Sequence, residues 1–225
     1  MTLKAELDTF RSEFMAEVPP EIRDAMTSAD MELAASGITQ RAVKAGDQAP
    51  DFRLPDARGG HVQLSTLLAK GPVVVSFYRG GWCPYCNLEL RALRNALPEI
   101  QQLGAQLVAI SPQTPDESLS TAEKNQLEFP VLSDTGSATG KAYGIAFVLA
   151  EALRPIYTRF QHALPKKNGD DSWVLPIPAT YVIDTNGTIV LAFIDVDYRN
   201  RLEPAEIVAA LEALRKERSL TGAGA

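Results

Sequence analysis

Two cysteines separated by two residues, in Cys83-Pro84-Tyr85-Cys86, are the side chains of this sequence best suited to chemistry, and they are its only cysteines. A thiolate can attack a disulfide sulfur, or it can attack a peroxide oxygen to give a sulfenic acid that a neighbouring thiol resolves as a disulfide. The flanking residues predict a place that favours thiolates. Pro72-Val73-Val74-Val75-Ser76-Phe77-Tyr78 is an apolar, β-branched run of strand length, the kind covered on both faces of a sheet. After the pair, Leu90, Leu93, Leu97 and Ile100 recur at helical spacing. With Cys83 at the N-cap, Pro84 takes the first helical position, where its missing N–H costs nothing, and Cys86 falls in the first turn. Unpaired N–H groups and the positive end of the helix dipole then favour the charged form of both sulfurs. Spacing alone does not choose between the two reactions.

Other uses of the pair fit less well. A zinc site wants about four ligands, and His61 and His162 are remote in sequence with no matching spacing, so neither a metal nor a cofactor is expected. A disulfide closing so short a loop would constrain the unfolded chain very little. Two inert thiols in a core are the remaining alternative, because free cysteine is often a small buried residue.

The elements around the strand and helix predict an α/β domain with an appendage. Residues 1–43 form an N-terminal helical arm: Leu3, Leu7, Phe10 and Phe14 share a face, Pro19-Pro20 breaks the pattern, and it resumes over 22–33 before Gly37. The arm must bury its apolar stripe on the main domain or on a second subunit, and the latter would make a homodimer. Residues 44–218 form the main domain. Turn residues over 46–60 predict a short hairpin, 107–111 and 129–132 read as strands, and 115–126 as a polar helix. This β-α-β-α-β alternation places helices on both faces of a sheet. Pro98 is expected to kink or interrupt its helix. An insertion at about 144–173 shows helical spacing through Phe147, Leu149, Leu153, Ile156 and Phe160, then an exposed loop over 166–171. Strands at 180–184 and 188–194 pair around Asn186-Gly187, a helix runs from Pro204 to about Arg218, and 219–225 is a flexible tail.

With 28 acidic against 22 basic residues the net charge is -6, which offers no basic surface for nucleic acid or an anionic membrane. Glu6, Asp8 and Glu13 interrupt the first residues, so they are not a secretory signal, and no run approaches the roughly 18 apolar residues of a membrane span. The expectation is a soluble cytoplasmic protein.

Gly46-Asp47-Gln48-Ala49-Pro50-Asp51-Phe52-Arg53-Leu54-Pro55-Asp56, then Val62-Gln63-Leu64-Ser65 and the run from Gly71 to Tyr78, resemble the alkyl hydroperoxide reductase and thiol-specific antioxidant family, the peroxiredoxins. The resemblance implies a thioredoxin fold, a central mixed sheet flanked by helices. It also implies reduction of hydrogen peroxide or organic hydroperoxides, with a thioredoxin- or glutaredoxin-like protein as electron donor. The family carries Pro-x-x-x-Thr-x-x-Cys after this strand. Laid on Arg79 to Cys86, that pattern puts Cys86 at the peroxide-attacking position and Cys83 as its resolving partner. Cys83 then replaces the family threonine and Arg79 the proline. Pro178 stands where the family has an arginine, and it resembles instead the cis-proline that thioredoxins place against their Cys-x-x-Cys. Arg79 could supply the positive charge that this exchange removes, and Trp82 packs beside the site to exclude water. Two further readings stay open: a thiol-disulfide oxidoreductase with Cys83 as attacking thiolate, and a redox-sensing binding module whose arm or insertion recognises a partner.

Overall fold

The computed structural model describes residues 1–222. The arm is two helices and a short third, α1 (Leu3–Glu17), α2 (Pro20–Ala35) and α3 (Ile38–Arg41). Thr2 caps α1, its side chain accepting from the Ala5 N–H, and Pro20 opens α2 at a position where a proline loses no hydrogen bond. The predicted early hairpin is β1 (Arg53–Pro55) against β2 (His61–Gln63), followed by α4 (Leu64–Leu68). Then come β3 (Val73–Phe77), α5 (Pro84–Gln102), β4 (Gln106–Ser111), α6 (Pro115–Lys124), β5 (Val131–Ser133) and α7 (Ala138–Ala142). The insertion holds β6 (Ala146–Val148), a 3-10 turn (Glu151–Leu153), α8 (Arg154–Arg159), α9 (Leu164–Asn168) and β7 (Val174–Pro176). The chain closes with β8 (Ala179–Ile183), β9 (Ile189–Ile194) and α10 (Pro204–Gly222).

Five strands form the central mixed sheet in the order β5-β4-β3-β8-β9. Strands β3, β4 and β5 run parallel, and β8 and β9 antiparallel to their neighbours, so the strand predicted as central is central. Alternate residues of β3 serve two cores. Val74, with Tyr78 just beyond the strand, joins Leu90, Leu93 and Ile100 of α5 and Ile207 and Leu211 of α10, while Val73, Val75 and Phe77 meet Leu64, Tyr143 and Tyr181 on the other face. Both cysteines belong to the first of these cores, at the end of the sheet where β3 gives way to α5.

Three expectations are corrected. Pro98 lies inside an unbroken 19-residue α5: Leu90, Leu93, Leu97 and Ile100, on either side of it, are all buried in one core, which holds the helix in register across the proline. The insertion is not one long helix followed by a loop. Phe147 sits in a strand because β6 pairs with β7, Phe147 opposite Leu175, and part of the predicted loop at 166–171 is the short helix α9. The helix expected to end near Arg218 runs to Gly222, so the first half of the predicted tail is helical; residues 223–225 lie outside the described part.

The arm spends its apolar stripe within its own chain. Leu3 and Leu7 of α1 are buried in the core shared with α5, and Val18, Ile22 and Met26 form a third, smaller core with Leu153, Tyr157 and Leu164 of the insertion. A homodimer would therefore need another surface. Among the described residues no helix is long and apolar enough to cross a membrane. Leu7→Ala should lower unfolding stability by about 2–5 kcal/mol in urea titration, the usual cost of emptying a buried leucine site, whereas an undocked arm would give almost no change.

Candidate active site

The strand-to-helix junction has the predicted local form. Cys83 is the N-cap of α5 with an extended backbone, Pro84 follows at the first helical position, and the Asn87 N–H donates to the Cys83 carbonyl at 3.1 Å. The Gly80-Gly81 pair before it is forced by space. A Cβ on Gly81 would lie 2.2 Å from the Thr121 hydroxyl oxygen, and Gly80 adopts φ +148° with the Trp82 ring where a side chain would project. Side-chain amides then fix the loop. Gln113 accepts from the Gly81 N–H at 2.8 Å, Asn87 donates to the Gly81 and Cys83 carbonyls at 2.8 and 3.1 Å, and Asn125 donates to the Asn87 amide oxygen at 2.8 Å.

Neither sulfur lies on an open surface. Cys83 is 2% exposed and Cys86 is fully buried. Cys83 nonetheless lines a cavity of about 290 Å³, whose other walls come from α1, α2 and α8. The arm and the insertion cover what a bare helix start would leave open.

Two buried arginines face the pair. Arg79 is 3% exposed, and its guanidinium is enclosed by aromatic faces, 4.1 Å from the Tyr198 ring centre, 5.2 Å from Trp82 and 5.6 Å from Tyr157, while it donates to the Tyr157 hydroxyl. No carboxylate pairs with Arg79 among the described residues, so cation–π contacts and the thiols are what balance its charge. Arg201 is the second of them. Its Nη2 is 3.5 Å from the Cys86 sulfur, and its Nε donates at 2.6 Å to Glu89, a carboxylate as deeply buried as itself. Glu89 also accepts from the Thr180 hydroxyl at 3.4 Å. Burial pushes the Glu89 carboxyl up to about 7, against the pull of Arg201 and with the push of a charge on Cys86.

This surrounding divides the two thiols. Burial by itself would raise Cys83, but the hydrogen bond from the Cys86 thiol and the charges of Arg79 and Arg201 overcome it, and the Cys83 thiol falls well below its ordinary range. Cys86 moves the other way: burial, its hydrogen bond to Cys83 and the Cys83 charge all raise it, with Arg201 opposing. The two thiols therefore titrate as a pair, with Cys83 moved down and Cys86 moved up, so that ionising one opposes ionising the other.

Of the predicted site residues, Cys83, Cys86, Arg79 and Trp82 come together. Trp82 forms one wall of the cavity, 4.9 Å from the His162 ring and edge-on to Tyr157. Pro178 does not join them as a cis-proline, because every described peptide bond is trans. It links β7 of the insertion hairpin directly to β8 of the central sheet, and an extended trans link carries the chain straight from one strand into the next. Pro178 lines a neighbouring cavity on the far side of Arg79 and Tyr198.

Sequence reasoning missed Arg201, Glu89, Tyr157, Tyr198 and His162. Glu89 had a detectable signature, an acidic residue one helical turn from Cys86 and next to Leu90 on a face destined for the core. Arg201 had none: it follows β9 in an irregular segment, 115 positions from the sulfur it touches.

Alkylation of Cys83 by a small reagent should half-rise well below pH 8.5, the ordinary thiol value, and Arg79→Met should move that point up by about one pH unit or more, as followed by mass spectrometry. Arg201→Met alone, which leaves Glu89 buried without its partner, should cost about 3–5 kcal/mol of stability in urea titration. The double change with Glu89→Met should recover most of that stability in the same titration, because no uncompensated buried charge is then left.

Residues 45–192 match the model of the AhpC/TSA family, about two thirds of the chain. Peroxiredoxin Q of Sedum lineare is 30% identical over 162 residues, covering 72% of each chain, and peroxiredoxin Bcp of Escherichia coli is 34% identical over 103 residues, 46% of this chain and 65% of that one. The crystal structure of peroxidoxin BcpB from Mycobacterium tuberculosis superposes with a TM-score of 0.60 at 26% identity, covering 76% of this chain and 97% of that one. A peroxiredoxin Q structure from Xanthomonas campestris, at 20% identity and a TM-score of 0.55, shares the fold. The cysteine pair at the start of α5, the mixed five-stranded sheet and the matched span agree: this chain belongs to the AhpC/TSA family, the peroxiredoxins of the thioredoxin fold.

Proposed function

We propose that this thiol peroxidase works through a Cys83–Cys86 dithiol–disulfide cycle in which Cys83 attacks first. The observation that carries this reading is the asymmetry of the pair: Cys83 lines the cavity together with Arg79, and its thiol is lowered by the charges of Arg79 and Arg201, while Cys86 is fully buried and outside that lining. The Cys83 thiolate attacks one peroxide oxygen, the O–O bond breaks, and the leaving alkoxide or hydroxide takes up a proton. Cys83 is then a sulfenic acid, oxidised by two electrons. Cys86 loses its proton and attacks the Cys83 sulfur, and water leaves as the disulfide forms.

Arg79 and Arg201 are fixed before the reaction, so the charge that shifts onto the departing oxygen meets positive groups that need no reorganisation. A thioredoxin- or glutaredoxin-type dithiol reduces the disulfide and is itself oxidised. A dithiol that must be returned to its reduced form after each turnover suits a reducing compartment such as the cytoplasm. Trp82, a wall of the cavity beside Cys83, keeps water from the sulfur.

A second order of events rests on a specific contact. Arg201 reaches the Cys86 sulfur, and Cys86 occupies the position that attacks peroxide in the family pattern, so Cys86 would be oxidised and Cys83 would resolve it. Single-cysteine variants separate the two. With Cys83 attacking, Cys83→Ser abolishes peroxide consumption, and Cys86→Ser completes one turnover and accumulates a sulfenic acid on Cys83, detectable by dimedone labelling. Exchange of these two results establishes the second order. Insulin reduction faster than peroxide reduction would favour disulfide exchange instead.

A further inference from the structure

The arm is not part of the family match, which begins at residue 45, yet it forms the outer wall above Cys83. Phe10 and Phe14 of α1 lie 6.3 Å apart with stacked rings, and Phe10 meets Tyr85 edge-on at 5.0 Å. Met26 of α2 also lines the cavity, as do Ile156 of α8 and Phe160 at the end of that helix. Three segments thus converge on one space, and apart from Tyr157 of α8 the side chains they contribute are apolar.

The size of the space decides what suits it. At ~30 Å³ per water molecule in the liquid, hydrogen peroxide with its two oxygens fills a small part of a cavity of about 290 Å³. Away from Arg79, His162 and the tyrosines that also line the cavity, the phenylalanines, Met26 and Ile156 offer hydrogen peroxide no replacement for the hydration it loses. A hydroperoxide bearing an aryl or branched alkyl group instead gains by burying that group. His162 lies in the same wall with its imidazole shifted toward the neutral form by burial and by Arg79, so it adds no full charge against an apolar guest.

We propose that the N-terminal arm is a specificity element of the active site: Phe10, Phe14 and Met26, with Ile156 and Phe160, form a pocket for the organic group of a compact aryl or branched-alkyl hydroperoxide whose terminal oxygens face Cys83. The proposal rests on the peroxidase reading. Its chemistry is the one already balanced: the Cys83 thiolate becomes a sulfenic acid, the O–O bond breaks, and the organic group leaves as its alcohol.

The test is single-turnover oxidation of the reduced full-length protein by cumene hydroperoxide and by hydrogen peroxide, followed by tryptophan fluorescence in stopped flow. The wild type should react about tenfold or more faster with cumene hydroperoxide. Phe14→Ala should reduce that ratio about tenfold, and Ile156→Trp, which fills the cavity from the α8 side and does not depend on α1 staying docked, should reduce it as well. Met31→Ala, at an exposed position of α2 outside the pocket, should leave the ratio unchanged. A wild type that prefers hydrogen peroxide, or a ratio that neither pocket variant moves, overturns the proposal and leaves the peroxidase reading standing. A wild type oxidised by neither peroxide overturns the peroxidase reading itself.

Discussion

A buried arginine with no carboxylate beside it is costly, because a charge taken out of water must recover its solvation from whatever replaces it. Arg79 recovers part of it from the faces of Tyr198, Trp82 and Tyr157, and the remainder from negative charge on the cysteine pair. The same burial that would keep a lone thiol neutral thus becomes, beside this cation, the reason one thiol ionises. Arg201 adds to the effect but arrives already paired with Glu89, so its charge is partly spent and its geometry is set. The reactive thiolate and the unpaired guanidinium each make the other tolerable in the interior.

That dependence explains why so much of the chain is arranged around a short loop. The aromatic rings that hold Arg79 come from the junction before α5, from α8 and from the segment after β9, and they meet only if the insertion and the central sheet are docked. The arm supplies part of that docking through Val18, at the end of α1, and Ile22 and Met26 of α2. Glycines at 80 and 81 and the amides of Asn87, Gln113 and Asn125 hold the loop itself, so that Cys83 faces the cavity while Cys86 faces Arg201.

The departures from the family pattern are coherent in this light. Pro178 occupies the place of a family arginine, and the chain passes through it as an extended link between two strands, carrying no charge to the sulfurs. Positive charge reaches them instead from Arg79, where the family has a proline, and from Arg201. Cys83 takes the place of a hydroxyl residue at the N-cap, which places a second sulfur at the helix start, within hydrogen-bonding reach of Cys86.

Local order was legible in the residues themselves. The β-branched run of β3, the proline after Cys83, the apolar stripe of α5 and the Asn-Gly turn between β8 and β9 each act within a few positions of chain, where propensity and periodicity suffice. The insertion was misread because Phe147 obeys a helical spacing but pairs with Leu175, a partner that periodicity along one segment does not reveal. Pro98 was misread because tertiary packing on both sides of it outweighs the local penalty. The sequence alone determined that two thiols would share a helix start on a thioredoxin-like frame. Tertiary structure decided which charged groups stand beside them and how deeply both are covered, because Arg79, Arg201, Glu89 and the arm come from separate parts of the chain, and electrostatic and burial energies depend on distance in space.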